Sequence, residues 1–268
     1  MAQTWRIATY NTWKCDGLYR DRLNWMGLRL QALAPDILCL QEAFDCTERN
    51  ANTARHLSGV LGMTAEVLSA RRKHRAFEQD NRMSNSSLAI LSKHDMTRKP
   101  DMKLAEHEDD RDRWAMQVNV STGLGWRLRI VNTHLTHIRG KTGDLVRKSQ
   151  AGQLASICTP LDREIVILCG DLNDDWHSES LSAVRKLEWL RAQYEVDGGT
   201  WLGPRGSARS LDRRIDQVQA VTKSTGGVNV LRRFPALNTP VGQGGEYASD
   251  HAALVIDLEL RPPHQGAV

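Results

Sequence analysis

The sequence predicts an α/β protein in which two packed β-sheets are flanked by helices within one domain. Three observations predict this class. Short apolar runs recur along all 268 residues, helical patterns separate only some of them, and no linker, repeat or low-complexity tract divides the chain. With 40% hydrophobic and 25% charged residues, the composition is typical of a folded protein and argues against disorder. We therefore expect a single domain over residues 1–268.

Nine apolar runs predict β-strands, because each is short and bounded by polar or turn-forming residues. In chain order they are Arg6–Tyr10, Ile37–Leu40, Thr64–Leu68, Leu88–Leu91, Met116–Val120, Arg127–Asn132, Ile165–Cys169, Ile215–Val221 and Ala253–Leu258. The run Ile165–Cys169 is apolar throughout and is followed by a glycine, which predicts a strand that is buried on both faces.

Two stripes of apolar residues at spacings of three or four predict helices. The first stripe contains Leu23, Met26, Leu30 and Leu33. The second contains Leu181, Val184, Leu187 and Leu190, with Ser178 as a candidate N-cap. The segment Asp144–Ile157 has a weaker helical pattern. These helices lie between predicted strands, as expected for layers that flank the sheets.

Charge and cysteine content narrow the function classes. The net charge of +4 and the pI near 8.9 are compatible with an anionic substrate. The five cysteines form no CxxC pair, which argues against a disulfide framework and a zinc site, and Cys39 and Cys169 are predicted to be buried. The N-terminus lacks the pattern of a signal peptide and no run reaches membrane-spanning length, so we expect a cytoplasmic, reduced protein without membrane insertion.

Polar residues stand at one end of six predicted strands. They are Asn11, Gln41 with Glu42, Asn132 with His134, Asp171 with Asn173, Asp216, and Asp250 with His251. Binding residues are commonly placed at strand ends because the sheet holds them rigidly. If these ends converge, they bring together the carboxylates of Glu42, Asp171, Asp216 and Asp250.

Such a group of carboxylates predicts a bound hard cation, because the charges repel unless something positive lies among them. The partners are amides rather than cysteines, which favours Mg²⁺, Mn²⁺ or Ca²⁺ over zinc. His134 and His251 add proton transfer and hydrogen-bond donation. A hard cation with His, Asp and Asn suits the hydrolysis of a phosphate ester.

Taken in order, the segments "QE", "NTHL", "GDLN" and "SDH" resemble the signatures of the endonuclease/exonuclease/phosphatase superfamily, and the resemblance runs from about Arg6 to Leu258. Arg147, Gln150 and Gln153 resemble the helix that usually follows "NTHL" in this family. The resemblance implies a four-layer α/β sandwich and a hydrolase that depends on Mg²⁺ or Mn²⁺.

The resemblance also implies residue roles. Glu42 is similar to the principal metal ligand, with Asn11 beside it and Asp250 as a further acid on the metal side. Asp216 and His251 resemble an Asp–His pair in which Asp216 orients the imidazole. The remaining roles are those of His134 as a phosphate-contacting donor or general acid, Asp171 as the acid that positions water or protonates the leaving group, and Asn173 as a phosphate-oxygen ligand.

Four features near these motifs have competing interpretations. His137 is predicted to be a rim residue that contacts substrate, and Trp176 either lines the mouth of the site or packs in the core. "RRKHR" (71–75) is either a strip that contacts substrate phosphates or, as the favoured interpretation, a solvated loop. "EHEDDRDR" (106–113) is predicted to be a solvated turn of mixed charge.

Three functions stay open on sequence alone. The first is a nuclease or phosphodiesterase acting on nucleic acid, favoured by basic segments at Arg71–Arg75, Arg139–Lys148 and Arg205–Arg214. The second is a phosphatase or phosphodiesterase for a small molecule or lipid headgroup. The third, a catalytically inactive binding module, is disfavoured by the intact set of ligand-type residues. The partner predicted in each enzymatic case is a phosphoester substrate, and no protein partner is predicted.

Overall fold

Two mixed β-sheets packed face to face form the centre of the protein. A computed structural model describes residues 1–203, 213–224, 226–242 and 244–263. Within those residues one sheet has nine strands and the other has six. Helices cover the outer face of each sheet, so the predicted four-layer α/β sandwich is confirmed.

The larger sheet contains the first and last long strands of the chain. Its strands are β1 (Gln3–Asn11), β2 (Ile37–Cys46), β3 (Ala51–Asn52), β4 (Thr64–Leu68), β5 (Lys73–Phe77), β6 (Asp80–Ser92), β12 (Ala192–Glu195), β14 (Val228–Ala236) and β15 (Ala253–Leu260). Along its main path the order is β12-β14-β15-β1-β2-β6-β4. Strands β1 and β2 are parallel neighbours, and β15 pairs antiparallel with β1.

The smaller sheet is formed by the middle of the chain. Its strands are β7 (Met96–Arg98), β8 (Met102–Lys103), β9 (Trp114–Ser121), β10 (Arg127–His134), β11 (Glu164–Asp171) and β13 (Asp216–Thr222). Its path runs β13-β11-β10-β9-β7. All nine strands that the sequence predicts are present, although several extend further than their apolar cores.

The α-helices of the described residues are α1 (Tyr19–Leu33), α2 (Thr53–Leu61), α3 (Gly140–Cys158) and α4 (Ser182–Arg185). The predictions of α1 and α3 are confirmed. The helix predicted through Leu190 is wrong in extent, because the chain leaves helical geometry after Arg185 and the Leu190 amide donates to the Ala220 carbonyl in β13. No helix in these ranges is both long and apolar enough to cross a membrane.

Side chains that alternate between the two faces of each strand pack into three layers of hydrophobic core. In β11, Ile165, Ile167 and Cys169 point into the core between the sheets, whereas Val166 and Leu168 pack under α3 and α4. The prediction that this strand is buried on both faces is therefore confirmed. In the larger sheet, Leu38 and Leu40 likewise pack against α1 and α2, while Cys39 lies between the sheets. All five cysteines are buried free thiols.

A polar contact joins the two sheets beneath the strand ends. The Asn132 side chain on β10 donates to the carbonyls of Leu40 and Ala89, both at 2.9 Å, and accepts from Gln41 Nε2 at 2.7 Å. These residues are fully buried. Two of the polar strand-end residues, Gln41 and Asn132, thus hold the sheets together, and buried hydrogen bonds of this kind fix their relative position.

Candidate active site

Strand register brings three of the predicted residues into one row across the smaller sheet. His134 at the end of β10 is the neighbour of Asp171 in β11, and Asp171 is the neighbour of Asp216 in β13. Gly170 makes this row possible, because a Cβ at that position would lie 2.1 Å from the Thr133 carbonyl oxygen. All three side chains of the row are buried.

Asp171 is the hub of the cluster. Its Oδ2 accepts a hydrogen bond from Asn11 Nδ2 at 3.0 Å, and it lies 3.4 Å from His134 Nε2 and 3.7 Å from His251 Nε2. Asn11 ends β1 in the opposite sheet, so this contact crosses the sandwich. Burial raises the pKa of Asp171 to about 7, and the nearby Asp216 carboxylate adds to the rise.

His251 lies between two carboxylates. Its Nδ1 is 2.8 Å from Asp216 Oδ2, while its Nε2 faces Asp171. Burial alone would lower the pKa of His251, but the charges of Asp216 and Asp171 outweigh burial and raise it to about 10. The second oxygen of Asp216, Oδ1, is buried without a hydrogen-bond partner among the described residues. The predicted Asp–His pair is thus present as a close contact.

His134 has the opposite electrostatic setting. Burial, followed by the charges of Arg113 and Arg71, holds the pKa of His134 well below its usual value. The side chain is therefore a neutral imidazole at neutral pH, able to donate from one ring nitrogen and accept at the other. Two histidines on either side of Asp171 consequently differ in charge.

Glu42 lies at a bulge in β2. Between Leu40 and Ala43 this strand has one residue more than its partner β6, and Glu42 has a φ of +54°. Bulges beside functional sites redirect a side chain. Lys14 Nζ lies 3.0 Å from Glu42 Oε2. Burial would raise the pKa of Glu42, but the charge and hydrogen bond of Lys14 outweigh it, and the pKa is lowered.

Asp250 precedes β15 on the same side of the site as Glu42. Burial raises the pKa of Asp250 to about 6, and the Glu42 carboxylate also raises it, whereas His251 and Lys14 act in the opposite direction. Two nearly buried carboxylates beside one lysine are a setting that a divalent cation would stabilise. The residues therefore fit a hard metal ion.

Two groups of side chains qualify as ligands. Atoms of Asp171, Asp216 and His251 lie within 4.8 Å of one another and could hold an ion. His251 is already engaged by a carboxylate at each ring nitrogen, however, whereas the carboxylates of Glu42 and Asp250 have Lys14 as their neighbouring cation. An oxygen-rich set suits Mg²⁺ or Mn²⁺ better than a set that includes an occupied imidazole. The Glu42 side thus fits a metal better.

Asn173 takes part in the turn that follows β11. Its φ is +54°, its amide N–H donates to Asp171 Oδ1 at 2.9 Å, and its side-chain nitrogen donates to the Leu135 carbonyl at 3.1 Å. The residue therefore fixes the orientation of Asp171. Asn is a common residue at such left-handed turn positions, and a turn-capping role is the alternative that the sequence offers for Asn173.

A second buried cluster lies next to His134. Asp110 accepts from Arg113 Nη2 at 2.9 Å and from Thr136 Oγ1 at 2.6 Å, and it also pairs with Arg71. Arg113 in turn donates to the His134 carbonyl at 3.2 Å. Asp110 and Arg113 are only 1% and 2% exposed. The predicted solvated turn at 106–113 is therefore wrong for these residues, because their charges are paired and buried.

His137 belongs to that second cluster. Its Nδ1 lies 3.2 Å from Asp110 Oδ2 and 3.0 Å from Arg113 Nη2, and the imidazole is 58% exposed. Burial would raise the pKa of Asp110, but the hydrogen bond with His137 and the charge of Arg113 hold it well below its usual value. The structure places His137 at the rim of the site.

The segment "RRKHR" is partly β-strand. Arg75 in β5 is 9% exposed and donates to the Ser84 carbonyl at 2.8 Å, and Arg71 pairs with Asp110. The solvated-loop interpretation is wrong for these two arginines, whereas Arg72 and Lys73 are exposed. Of the basic segment Arg205–Arg214, residues 205–212 lie outside the described residues.

Trp176 packs away from the cluster. Its ring lies 5.9 Å from that of Trp189 in an edge-to-face arrangement, within the core under α3 and α4.

Arg147 on α3 belongs to the helix that resembles the family's helix after "NTHL". Its side chain donates to the Ile138 carbonyl at 2.7 Å and to Asp174 at 3.2 Å. It therefore holds together the loops that follow β10 and β11.

Comparisons with known proteins agree with this architecture. The sequence profile of the Endonuclease/Exonuclease/phosphatase family matches residues 8–251. The chain belongs to this family and is a phosphoester hydrolase. The predicted family and enzyme class are thereby confirmed. No curated protein sequence matches the chain.

Three solved structures illustrate the similarity. A family protein from Bacteroides thetaiotaomicron has 17% identity and a TM-score of 0.74, covering 97% of this chain and 99% of that chain. The mannosyl-6-phosphatase of the same organism has 18% identity and a TM-score of 0.70, with 95% and 99% covered. Sphingomyelinase C from Streptomyces griseocarneus has 19% identity and a TM-score of 0.66, with 95% and 99% covered. Identities this low establish the shared fold alone.

Proposed function

We propose that this protein is a divalent-metal-dependent phosphodiesterase that cleaves nucleic acid, and that residues 1–268 form one domain. The observation that carries the proposal is the convergence of Asn11, His134 and His251 on a single carboxylate oxygen, Asp171 Oδ2. This arrangement brings together a proton acceptor (Asp171), a neutral hydrogen-bond donor (His134) and a cationic donor (His251), which are the groups that phosphoester hydrolysis requires.

Positive side chains near both parts of the cluster favour a polyanionic substrate. The pKa of Lys73 is lowered by burial and then by the charges of Arg75 and Arg71, which indicates that the three cations form one group. The Glu42 carboxylate lies near enough to raise the pKa of Lys73 in turn. Arg139 has its pKa lowered by burial and then by Arg213 and Arg147, with Asp171 nearby. The exposed cations of the two groups are Lys73 and Arg139, whereas Arg71, Arg75 and Arg147 behind them are buried or paired with carboxylates. A substrate with several phosphates would contact both exposed cations, whereas a single phosphate would not need both.

The residues have separate tasks in the proposed reaction. Asp171, oriented by Asn173, accepts the proton of the attacking water, and neutral His134 donates to a phosphoryl oxygen. Asp216 holds His251 so that its Nε2 proton faces the negative charge that develops on the phosphoryl group. Glu42 and Asp250, with Asn11 beside them, are the proposed ligands of Mg²⁺ or Mn²⁺. When bound, such an ion neutralises charge on the phosphate.

The test is a substrate panel with purified protein in Mg²⁺ or Mn²⁺, with and without EDTA. The panel contains plasmid DNA, single-stranded DNA, RNA, bis-p-nitrophenyl phosphate, p-nitrophenyl phosphate and choline-phosphate esters. We expect chelator-sensitive cleavage of a polynucleotide, and Asp171→Asn protein from the same purification controls for contaminating nucleases. Turnover of small esters with no polynucleotide cleavage would overturn the nucleic-acid assignment.

A second candidate function is hydrolysis of a small-molecule or lipid-headgroup phosphoester. One observation favours it: a cavity of about 320 Å³, lined in part by aromatic residues, adjoins Asp250 and has room for a compact group. The neighbours named mannosyl-6-phosphatase and sphingomyelinase C are consistent with such substrates. The small esters of the same panel test this candidate directly.

A further inference from the structure

We propose that the cavity beside Asp250 binds a neutral planar ring carried by the substrate, as a nucleobase would be; this inference rests on the proposed phosphoester hydrolysis. The cavity has a volume of about 320 Å³. Its lining includes Trp13, Leu18, Trp25, Glu246, Tyr247 and Asp250. Because Asp250 borders both the cavity and the proposed metal side, a ring bound here would place an attached phosphate near the cluster.

Three aromatic side chains reach this cavity from separate parts of the chain. Trp13 follows β1, Trp25 lies on α1, and Tyr247 lies in the loop before β15. All three are half-buried. In the part of the chain that the structure describes, none of them pairs with another aromatic ring, in contrast to Trp176 and Trp189. Arg22 lies over the Trp13 ring and Trp25 packs in part against the core, so the ring surface offered to a ligand is the part that lines the cavity.

The backbone around Trp13 is held in an unfavourable conformation. Trp13 has a φ of +55° and Lys14 a φ of +42°, values that bulky side chains rarely adopt. Such conformations persist only where surrounding contacts impose them, and they cluster at ligand sites. The strain therefore points to a functional reason for presenting Trp13 and Lys14 together at the rim of the metal side.

Arg22 supplies the contacts that impose this conformation. Its guanidinium, which is 1% exposed, donates five hydrogen bonds to backbone carbonyls. The acceptors are the carbonyls of Thr12, Trp13, Lys14, Asp16 and Ala248. The loop after β1 is consequently fixed to α1 and to the loop that holds Tyr247, so the walls of the cavity are preorganised.

The charges around the cavity favour a neutral ring over an ion. The Arg22 guanidinium already lies 4.8 Å from the centroid of the Trp13 ring, so a quaternary ammonium on that indole would share its π-system with a cation. The carboxylates of Glu246 and Asp250 in the lining disfavour an anion, and their attraction for a cation is opposed by the Arg22 charge in the same lining. A neutral planar ring avoids both penalties and gains stacking area on tryptophan.

Ring binding is measured in EDTA, so that it does not depend on the metal or on turnover. Adenosine, ribose, phenol and tetramethylammonium are titrated into wild-type, Trp25→Leu and Tyr247→Leu protein, with ligand-observed NMR as the readout. Tyr194→Leu, which removes a 65% exposed tyrosine of β12, is the matched control. Thermal unfolding and circular dichroism confirm that each variant is folded.

We expect saturable binding of adenosine but not of ribose. Trp25→Leu should weaken adenosine binding by roughly 5- to 150-fold, the range that loss of one base-stacking contact produces. Tyr247→Leu should weaken it as well, and Tyr194→Leu should leave it unchanged. Equal binding of phenol would keep the ring site but assign it to aryl esters. Preferential binding of tetramethylammonium, or adenosine binding that ignores both cavity variants, would overturn the inference.

A second readout separates this inference from the proposed function. A dinucleotide and its counterpart lacking one base are compared as substrates in Mg²⁺, and the loss of the base should raise KM while Trp25→Leu abolishes that difference. Hydrolysis with no preference for the base would defeat the ring site and leave the phosphoesterase intact. Adenosine binding by a protein that hydrolyses no phosphoester would support the ring site and defeat the proposed function.

Discussion

Two buried clusters that pair aspartate with histidine lie on either side of His134, and they differ in how their charges are compensated. Asp110 is surrounded by Arg113, Arg71, Thr136 and His137, and its pKa is held well below the usual value. In the other cluster Asp171 and Asp216 share His251, the pKa of Asp171 is raised, and Asp216 Oδ1 has no partner among the described residues.

This difference separates a structural cluster from a chemical one. Arginine keeps its charge at all accessible pH values, so a carboxylate surrounded by arginines stays ionised at neutral pH and is not a proton acceptor there. In the other cluster, burial and the charge of Asp216 outweigh the opposing effect of His251 and keep the pKa of Asp171 elevated, which is common at catalytic sites. The Asp110 cluster is therefore expected to stabilise the fold, and the Asp171 cluster to act on the substrate.

The largest expected effect is on catalysis by the Asp171 cluster. His251→Ala, Asp171→Asn and Glu42→Ala should each lower kcat/KM by at least about 10²-fold, because each removes a proton-transfer, charge-stabilising or metal-binding group. Phosphodiesterase assays measure the rate, and chemical denaturation should show little change in the free energy of unfolding for Asp171→Asn and Glu42→Ala. His56→Ala on α2 is a matched histidine control. Near-wild-type rates in any two of the three variants would refute the site assignment.

Asp110→Asn should have its main effect on stability. The substitution leaves the buried Arg113 charge without its carboxylate, which costs about 3–5 kcal/mol in comparable buried ion pairs. Urea unfolding measures the loss, with Asp162→Asn in an exposed turn as the control. Catalysis should fall less than in His251→Ala, since only the position of His134 is disturbed. Unchanged stability would show that the cluster does not hold the fold together.

The stability difference between wild type and Asp110→Asn should depend on pH. Because the folded state lowers the pKa of Asp110, the contribution of this carboxylate is fully present above its unfolded pKa of about 3.9. It is lost progressively as the pH falls below about 4 toward the folded-state pKa. The difference in unfolding free energy, measured at pH 7, 5 and 3.5, should therefore begin to narrow at the lowest pH, by somewhat under about 1 kcal/mol. A difference that grows on acidification would contradict the assigned direction.

His137→Ala should have the smallest effect. The imidazole is 58% exposed, so its contact with Asp110 is screened by water, and its loss should cost no more than about 1 kcal/mol of stability. As a rim residue, it should change KM by less than about fivefold and leave kcat near the wild-type value. A fall in kcat comparable to that of His251→Ala would move His137 into the reacting centre.

Much of the fold follows from local patterns. Strands such as β11, whose apolar residues pack in two core layers, are recognised in the sequence as continuous apolar runs. Helix α1 is recognised as a stripe of apolar residues at spacings of three or four. Strand β14, which lies between β12 and β15, was not predicted, because it carries polar residues and Pro235. Leu187 and Leu190 keep helical spacing although a backbone contact with β13 ends the helix before them.

The site was predictable where residues end long strands. Asp171 and Asp216 follow directly from the strand pattern, and register places them side by side. Arg113 and Asp110 were missed because their segment has the composition of an exposed turn, and only the tertiary structure reveals that their charges pair. Arg22 was missed for a similar reason: its carbonyl acceptors come from loops that local pattern does not connect.

The most direct test compares Asp171→Asn with Asp110→Asn in parallel assays of bis-p-nitrophenyl phosphate hydrolysis, with and without EDTA, and of urea unfolding. The two clusters predict opposite profiles. Asp171→Asn should lose at least about 10²-fold in chelator-sensitive turnover at nearly wild-type stability, whereas Asp110→Asn should lose mainly stability. Turnover by Asp171→Asn within about twofold of wild type, a change too small for a proton-transfer group, would contradict the account.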